Sequence, residues 1–154
     1  MKRRFLLQTF ASLAGATTLA PSLMAQTRRQ VEVWKDPDCG CCKDWVSHLE
    51  ASGFQVTVHD SGNTAARNRL GVPEKLGSCH TAQVGGYALE GHVPARDIRR
   101  LLKERPRAVG LAVPGMPVGS PGMDGPAYNG RKDSYDVLLI QKDGGSRVYQ
   151  SYRA

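Results

Sequence analysis

The chain has 154 residues, with 21 basic and 14 acidic side chains and a formal net charge of +7. This length suits one compact domain with its own hydrophobic core. The basic residues are scattered, apart from a local concentration at Arg99, Arg100 and Lys103, and no aromatic side chains alternate with them, so nucleic-acid binding is not expected.

The N terminus has the composition of a secretory signal. A basic start, MKRR, leads into an apolar stretch of small and aliphatic residues, and cleavage is predicted after Ala25. The alternative is a membrane anchor, but the stretch is too short and too polar to span a bilayer comfortably. The run KRRFL at residues 2–6 has a weak twin-arginine character, typical of proteins exported in a folded state. After the signal peptide at 1–25, the predicted mature chain, 26–154, has no later segment that could span a membrane.

Hydrophobic periodicity predicts that the mature chain begins as strand, helix, strand and helix. Val31–Trp34 alternates in polarity and indicates a strand, and the apolar spacing over residues 42–49 indicates a helix. A second alternating run at 54–59 indicates another strand. A short helix capped by Asn63 or Thr64 follows.

The remaining segments are predicted to be two hairpins separated by a helix and a loop. Gly85 and Gly86 lie between β-prone runs and indicate the first hairpin. A helix is expected to begin at Pro94 and to end before Pro106. Residues 110–130 hold six glycines and four prolines, which predicts a loop without regular elements, and the chain then closes with a second hairpin.

This order of elements predicts an α/β fold. A cysteine motif between the first strand and the first helix lies where thioredoxin-like folds place theirs. Cys42 would lie in the first helical turn, where unpaired backbone N–H groups favour a thiolate. We therefore expect a single thioredoxin-like domain with a Pro/Gly-rich loop at about 110–130 and a C-terminal β-hairpin.

Three of the four cysteines, Cys39, Cys41 and Cys42, fall within four residues, and the fourth is Cys79. A disulfide inside the cluster would close a very short loop, and stabilisation by loop closure grows with loop length. Two static disulfides remain one interpretation. A thiol–disulfide oxidoreductase that uses Cys39 and Cys42 is a second, but it leaves Cys41 and Cys79 without a role. A metal site explains all four and is favoured.

The arrangement of sulfurs favours a soft metal. Zinc knuckles usually come as two separated C-x-x-C pairs, whereas three crowded cysteines and a distant fourth suit thiolates that bridge several ions. Cu(I) prefers thiolate and thioether ligands. Met116 and Met123, each in a Pro-Gly-Met segment, either supply such thioethers or pack over the core. A zinc-stabilised structural domain remains a further alternative.

The histidines differ in their expected roles. His80 adjoins Cys79 and would reach any metal with it, as a ligand or as a supporting donor. His92, in a loop after a strand, is a weaker candidate ligand. The histidines expected to be solvated are His48 and His59. The tryptophans expected to lie in the core or to cover the sulfurs are Trp34 and Trp45.

Four motifs follow one another along the chain. They are Cys39-Gly40-Cys41-Cys42 with Trp45, Cys79-His80-Thr81-Ala82, Glu90-Gly91-His92-Val93-Pro94, and residues 110–123 with both Pro-Gly-Met segments. With these motifs in this order, the chain resembles the DUF411 family of exported bacterial metal-binding proteins.

This resemblance implies a thioredoxin-like fold, a periplasmic location and a role in copper resistance. It also implies a copper site in the form of a thiolate-bridged multinuclear cluster. The fold and the cluster suggest a redox role that interconverts Cu(I) and Cu(II), which leaves two alternatives open, a copper oxidoreductase and a copper-binding protein without catalysis. We expect a monomer whose partners are copper ions and other periplasmic copper-handling proteins. The implied copper ligands are Cys39, Cys41, Cys42 and Cys79, with a weaker implication for His80, His92, Met116 and Met123.

Overall fold

The computed structural model describes residues 29–154, so the predicted signal peptide at 1–25 lies outside the described residues. Seven strands form one sheet in the order β2-β1-β3-β4-β5-β6-β7. The strands are β1 (Gln30–Lys35), β2 (Gln55–His59), β3 (His80–Val84), β4 (Tyr87–Glu90), β5 (Gly110–Ala112), β6 (Tyr135–Ile140) and β7 (Ser146–Tyr152). The helices are α1 (Gly40–Ala51), α2 (Thr64–Arg69) and α3 (Ala95–Glu104), with short 3-10 helices at Glu74–Leu76 and Pro126–Tyr128.

The sheet is mixed, which confirms the predicted α/β class. β1 and β2 run parallel with α1 as their crossover, and β3 pairs with β1 in the antiparallel sense. β3 and β4 form the predicted hairpin, whose two turn residues, Gly85 and Gly86, have φ angles of 53° and 84°. Positive φ at both positions is typical of a type I′ turn, whose twist matches that of the flanking strands.

Helices α1 and α3 bury their apolar faces in the main core. From α1 come Trp45 and Leu49, which are fully buried, and from α3 come Ile98 and Leu101. They pack with the alternating inward residues of β1, as the sequence pattern predicted. Within residues 29–154, no helix has the length and apolar character needed to cross a bilayer.

The prediction of an irregular loop over residues 110–130 is wrong at two places. β5 pairs with β4 and β6 at Gly110–Ala112, and Pro126–Tyr128 forms a 3-10 helix. A Cβ at residue 110 would lie 1.8 Å from the Ala88 carbonyl oxygen, so glycine permits the close approach of β5 to β4. β6 and β7 form the predicted C-terminal hairpin.

The predicted cap of α2 also differs from the structure. Asn63 occupies the N-cap position, but its side chain makes no cap hydrogen bond. Its amide donates instead to the Ser78 carbonyl oxygen at 3.1 Å and to the Thr81 hydroxyl at 3.3 Å. The Asn63 side chain thus makes tertiary hydrogen bonds in place of the α2 cap that local sequence rules predict.

Candidate metal centre

The four cysteines meet because two neighbouring strands present them at the same edge of the sheet. β1 ends at Lys35, and a turn leads to Cys39 at the N-cap of α1. Cys79 directly precedes β3, whose first residue, His80, is paired with Lys35. The antiparallel register therefore brings the start of β3 to the end of β1. The four cysteine sulfurs all lie within 4.8 Å of one another.

The structure contains one disulfide in this cluster, between Cys39 and Cys42. Cys41 and Cys79 are free thiols, and their sulfurs are 3.9 Å apart. The Cys39 and Cys41 sulfurs are 3.6 Å apart. The structure therefore lacks the second disulfide that the static interpretation requires, and it presents two thiols beside an oxidised C-x-x-C pair.

Burial shapes the chemistry of Cys79. The pKa of this thiol is raised to about 12, chiefly by burial and then by the neighbouring Cys41. The metal-free side chain is consequently a protonated thiol near neutral pH. A bound cation would stabilise the thiolate and release that proton.

His92 is fully buried beside Cys79 and has the geometry of a metal ligand. Its Nδ1 lies 2.8 Å from the Pro121 carbonyl oxygen, which can only accept a hydrogen bond, so Nδ1 carries the proton. Nε2 is thereby left with its lone pair, 3.2 Å from the Cys79 sulfur. Burial lowers the pKa of His92, which keeps the imidazole neutral and able to coordinate a cation.

His80 completes a second donor group that includes Cys79 and His92. It is fully buried, with Nδ1 3.4 Å from the Cys79 sulfur and Nε2 without a hydrogen-bond partner among the described residues. Burial holds its pKa well below the usual value. Ligand atoms of Cys79, His80 and His92 lie within 4.8 Å of one another. Cys79 therefore belongs both to an all-sulfur group and to a mixed sulfur–nitrogen group.

The two methionines occupy different environments. Met123 is 8% exposed, and its sulfur accepts a hydrogen bond from the Tyr128 hydroxyl at 3.2 Å. The loop before it lies against α1, since a Cβ at Gly122 would be 2.7 Å from the Cys41 carbonyl oxygen. Met116 is 52% exposed. The loop therefore packs beside the cysteines, with Met123 inside and Met116 at the surface.

Trp45 lies in the core, which is one of its two expected positions, whereas Trp34 does not pack in the core. The Trp45 ring is 4.3 Å from the His80 ring, and its Nε1 donates to the Val93 carbonyl oxygen at 2.9 Å. Trp34 stacks on the half-exposed His59 at 5.0 Å, with the Arg69 guanidinium 4.7 Å from its ring. Trp34 therefore belongs to a stack with His59 and Arg69 and not to the core that the sequence suggested.

The expectation that His48 is solvated is wrong. Its side chain is half-buried between α1 and α3, and Nε2 accepts a hydrogen bond from the Ala95 backbone N–H at 3.1 Å. Helical periodicity gave no sign of this contact because Ala95 belongs to a distant helix.

Sequence reasoning also missed a polar network behind Cys79. Glu90, the last residue of β4, is fully buried and bonded to Arg67, Ser78 and Thr81. An acidic residue at the end of an otherwise apolar strand was the available signal. A charge at such a position has to find a partner inside the protein.

Comparison with known proteins gives two kinds of match. The family model described as "Protein of unknown function, DUF411" matches residues 76–123. Two solved structures, titled "Copper resistance protein copG" Form 1 and Form 2, are each 49% identical to the chain with a TM-score of 0.75. In each case the match covers 81% of this chain and 98% of the other. No match was found among curated proteins.

Proposed function

Because the chain belongs to the DUF411 family of CopG-like proteins, we propose that it is a periplasmic copper-binding protein of copper resistance. The observation that carries this proposal is the gathering of four cysteine sulfurs within 4.8 Å. Soft thiolates are the ligands that Cu(I) prefers, and the related structures are titled as copper-resistance proteins.

The proposed ligands are the thiolates of Cys39, Cys41, Cys42 and Cys79. Two sulfurs that are each about 2.3 Å from one tetrahedral ion lie about 3.8 Å apart. The separations of 3.6 Å between Cys39 and Cys41 and 3.9 Å between Cys41 and Cys79 fit that spacing. Neighbouring cysteines on one helical turn cannot easily all bind the same ion. They therefore favour a cluster in which thiolates bridge several ions, and not a closed site with one ion. Full loading requires Cys39 and Cys42 as thiols, because a disulfide sulfur is not a thiolate ligand. An external dithiol supplies the two electrons that open the disulfide and is itself oxidised to a disulfide.

Histidines and methionines extend the proposed site. His80 and His92 supply nitrogen donors at the edge of the sulfur cluster, and the His92–Pro121 hydrogen bond orients the free Nε2 towards Cys79. The Met123 sulfur accepts a hydrogen bond from Tyr128 and keeps a second lone pair that could coordinate an ion. Met116, at the surface, is available to an incoming ion. Imidazole accepts Cu(II) as well as Cu(I), so the mixed donor set could hold copper in either oxidation state, with an external one-electron partner taking or supplying the electron.

We further propose that residues 26–154 form one monomeric thioredoxin-like domain, exported after removal of residues 1–25. Support for the fold comes from the β1-α1-β2 crossover, the antiparallel β3–β4 hairpin and α3, with the sheet order β2-β1-β3-β4. The C-x-x-C pair at the junction of β1 and α1 is also typical of that fold. The basic and apolar N-terminal sequence supports export.

Copper quantitation on the mature protein tests the proposal. The reduced protein is loaded anaerobically with Cu(I), and X-ray absorption at the copper edge reports oxidation state and the balance of sulfur and nitrogen ligands. We expect more than one copper per chain in a sulfur-dominated environment, and a marked loss when all four cysteines become serine. Less than one copper per chain contradicts the proposal, and one tightly held zinc would favour a structural zinc domain.

The Cys39–Cys42 disulfide favours thiol–disulfide exchange as a second candidate function. In that case Cys39→Ser and Cys42→Ser abolish insulin reduction, whereas Cys79→Ser leaves it intact. If all four single substitutions impair copper binding and none changes a thiol-exchange activity, this second candidate is excluded.

A further inference from the structure

Glu90 is a buried carboxylate to which the proposed copper site assigns no role. Its Oε1 accepts hydrogen bonds from Arg67 Nε at 2.9 Å and from the Ser78 backbone N–H at 2.7 Å. Its Oε2 accepts one from the Thr81 hydroxyl at 2.6 Å. Arg67 is itself 15% exposed, so the ion pair is largely shielded from water. Both carboxylate oxygens are occupied, as a buried charge requires.

The same ion pair holds the residue that precedes Cys79. Ser78 donates its backbone N–H to Glu90, and its carbonyl oxygen accepts from Arg67 Nη2 at 2.6 Å and from Asn63 Nδ2 at 3.1 Å. The Ser78 hydroxyl donates to the Gly115 carbonyl oxygen at 2.5 Å. The backbone of Ser78 is therefore fixed on both sides, although it belongs to neither a helix nor a strand.

The space around Ser78 leaves little freedom to shift. A Cβ at Gly91 would lie 2.6 Å from the Ser78 hydroxyl oxygen and 2.5 Å from the Val113 carbonyl oxygen. A Cβ at Gly77 would lie 2.9 Å from the Glu74 carbonyl oxygen and 3.1 Å from Arg67 Cζ. Because Gly77 and Gly91 have no side chains, the backbone at Ser78 fits tightly between the ion pair and the neighbouring loop.

We propose that the Arg67–Glu90 pair positions Cys79 by clamping the Ser78 backbone, so that the Cys79 sulfur faces both Cys41 and His92. Those two contacts, at 3.9 Å and 3.2 Å, depend on the backbone of Cys79. Metal–ligand distances tolerate only about 0.2 Å of variation, so a small backbone displacement would separate Cys79 from its partners. Substitution of a residue that supports a metal ligand in this way typically lowers metal affinity by about 10- to 100-fold.

A double-mutant cycle distinguishes positioning from general stabilisation. This test rests on the proposed copper function. Glu90→Gln is expected to weaken Cu(I) affinity by about 10-fold, and to cause no further loss in a Cys79→Ser background. Arg67→Lys keeps the positive charge but loses the paired donors of the guanidinium, so it should show a smaller loss of Cu(I) affinity. It replaces Glu90→Gln in the test if Glu90→Gln does not fold. The matched control is Glu104→Gln, which removes the acid of the exposed Arg100–Glu104 pair and should leave affinity unchanged. Unchanged affinity in Glu90→Gln, or an equal loss in both backgrounds, overturns the proposal.

A second measurement needs no metal and separates this inference from the copper proposal. In the reduced, metal-free protein, the alkylation rates of Cys79 and Cys41 are followed by mass spectrometry. Release of the Ser78 clamp in Glu90→Gln should raise the Cys79 rate by about 10-fold, the factor expected for losing one charge-assisted hydrogen bond, and Arg67→Lys should raise it by less. The Cys41 rate should stay constant, and Glu104→Gln should match the wild type. An unchanged Cys79 rate overturns the clamp, whereas a raised rate in a protein that binds no copper upholds the clamp and contradicts the copper function.

Discussion

His48 shows how one side chain can link two helices while its charge state affects stability. Its Nε2 accepts the Ala95 N–H at the start of α3, which requires the neutral form of the ring. Burial is the main cause that lowers its pKa, Arg99 acts in the same direction, and Asp124 opposes them. The protonated ring would lose this hydrogen bond and leave a charge between the helices.

We therefore expect stability to fall on acidification, with His48 as one source. Its pKa in the folded state lies below the value of about 6.5 in an unfolded chain, so the unfolded chain binds more protons below that pH. The free energy of unfolding by urea should decrease from about pH 7 to about pH 5. His48→Gln keeps a hydrogen-bond acceptor without this titration and should show a shallower decrease. Parallel pH profiles for the two proteins would contradict the assignment.

Trp45 provides an optical report on the proposed copper site. Its ring packs against His80, whereas Trp34, the other tryptophan, stacks on His59. Copper bound beside His80 should quench Trp45 emission by close contact. We expect Cu(I) loading to quench the wild type and Trp34→Phe, and to lose most of its effect in Trp45→Phe. Equal quenching in both variants would show that copper binds elsewhere.

At the residue scale, the candidate metal ligands could be predicted from the sequence more readily than the tertiary contacts that their side chains make. The crowding of Cys39, Cys41 and Cys42 is visible in the chain itself, and Cys79-His80 is visible as a pair. The tertiary contact of His92 with Pro121, and that of His48 with Ala95, cannot be inferred from local periodicity. Both depend on which distant loop or helix packs against the imidazole.

Among the secondary-structure elements, β5 depends on one glycine. Gly110 has an ordinary backbone conformation, but a Cβ there would collide with the Ala88 carbonyl oxygen of β4. A methyl group at this point must therefore push two paired strands apart.

We expect Gly110→Ala to destabilise the protein by about 2 kcal/mol, within the usual range for overpacking. Gly125→Ala is the matched control, because that glycine lacks a positive φ and has no atoms within 4 Å of its added Cβ. Chemical denaturation of both variants provides the comparison. A Gly110→Ala protein as stable as Gly125→Ala would show that β5 adjusts without loss.

The predictable elements are those whose own sequence carries the pattern. β1, α1 and α3 have clear apolar periodicity, and each was expected close to its observed position. β5 is only three residues long and lies in a Pro/Gly-rich segment, so its strand character comes from pairing with β4 and β6. Such non-local pairing is not recorded in local composition.

On the scale of the whole molecule, the candidate site joins parts of the chain that are far apart in sequence. Its side chains come from the start of α1, the start of β3 and the turn between β4 and α3. A ligand that binds only the folded arrangement stabilises it, by about 2.7 kcal/mol at a free concentration 100 times the dissociation constant.

Copper should consequently raise the unfolding temperature of the reduced protein, and Cys79→Ser should lose most of that increase. The variant keeps Cys39, Cys41 and Cys42, but these are neighbours in the unfolded chain too, and binding to unfolded chains reduces ligand-linked stabilisation. Differential scanning calorimetry with and without Cu(I) measures the effect. An equal increase in both proteins would show that Cys79 does not take part.

The pairing of Lys35 with His80 also determines when, during folding, the four cysteines come together. β3 can lie beside β1 only after the long chain segment between them has closed, and such non-local contacts form late. In a newly made chain, the sulfurs of residues 39, 41 and 42 are together from the beginning, while Cys79 is still distant. The complete donor set is therefore a sign of completed folding, and an ion that requires Cys79 selects finished molecules over nascent ones.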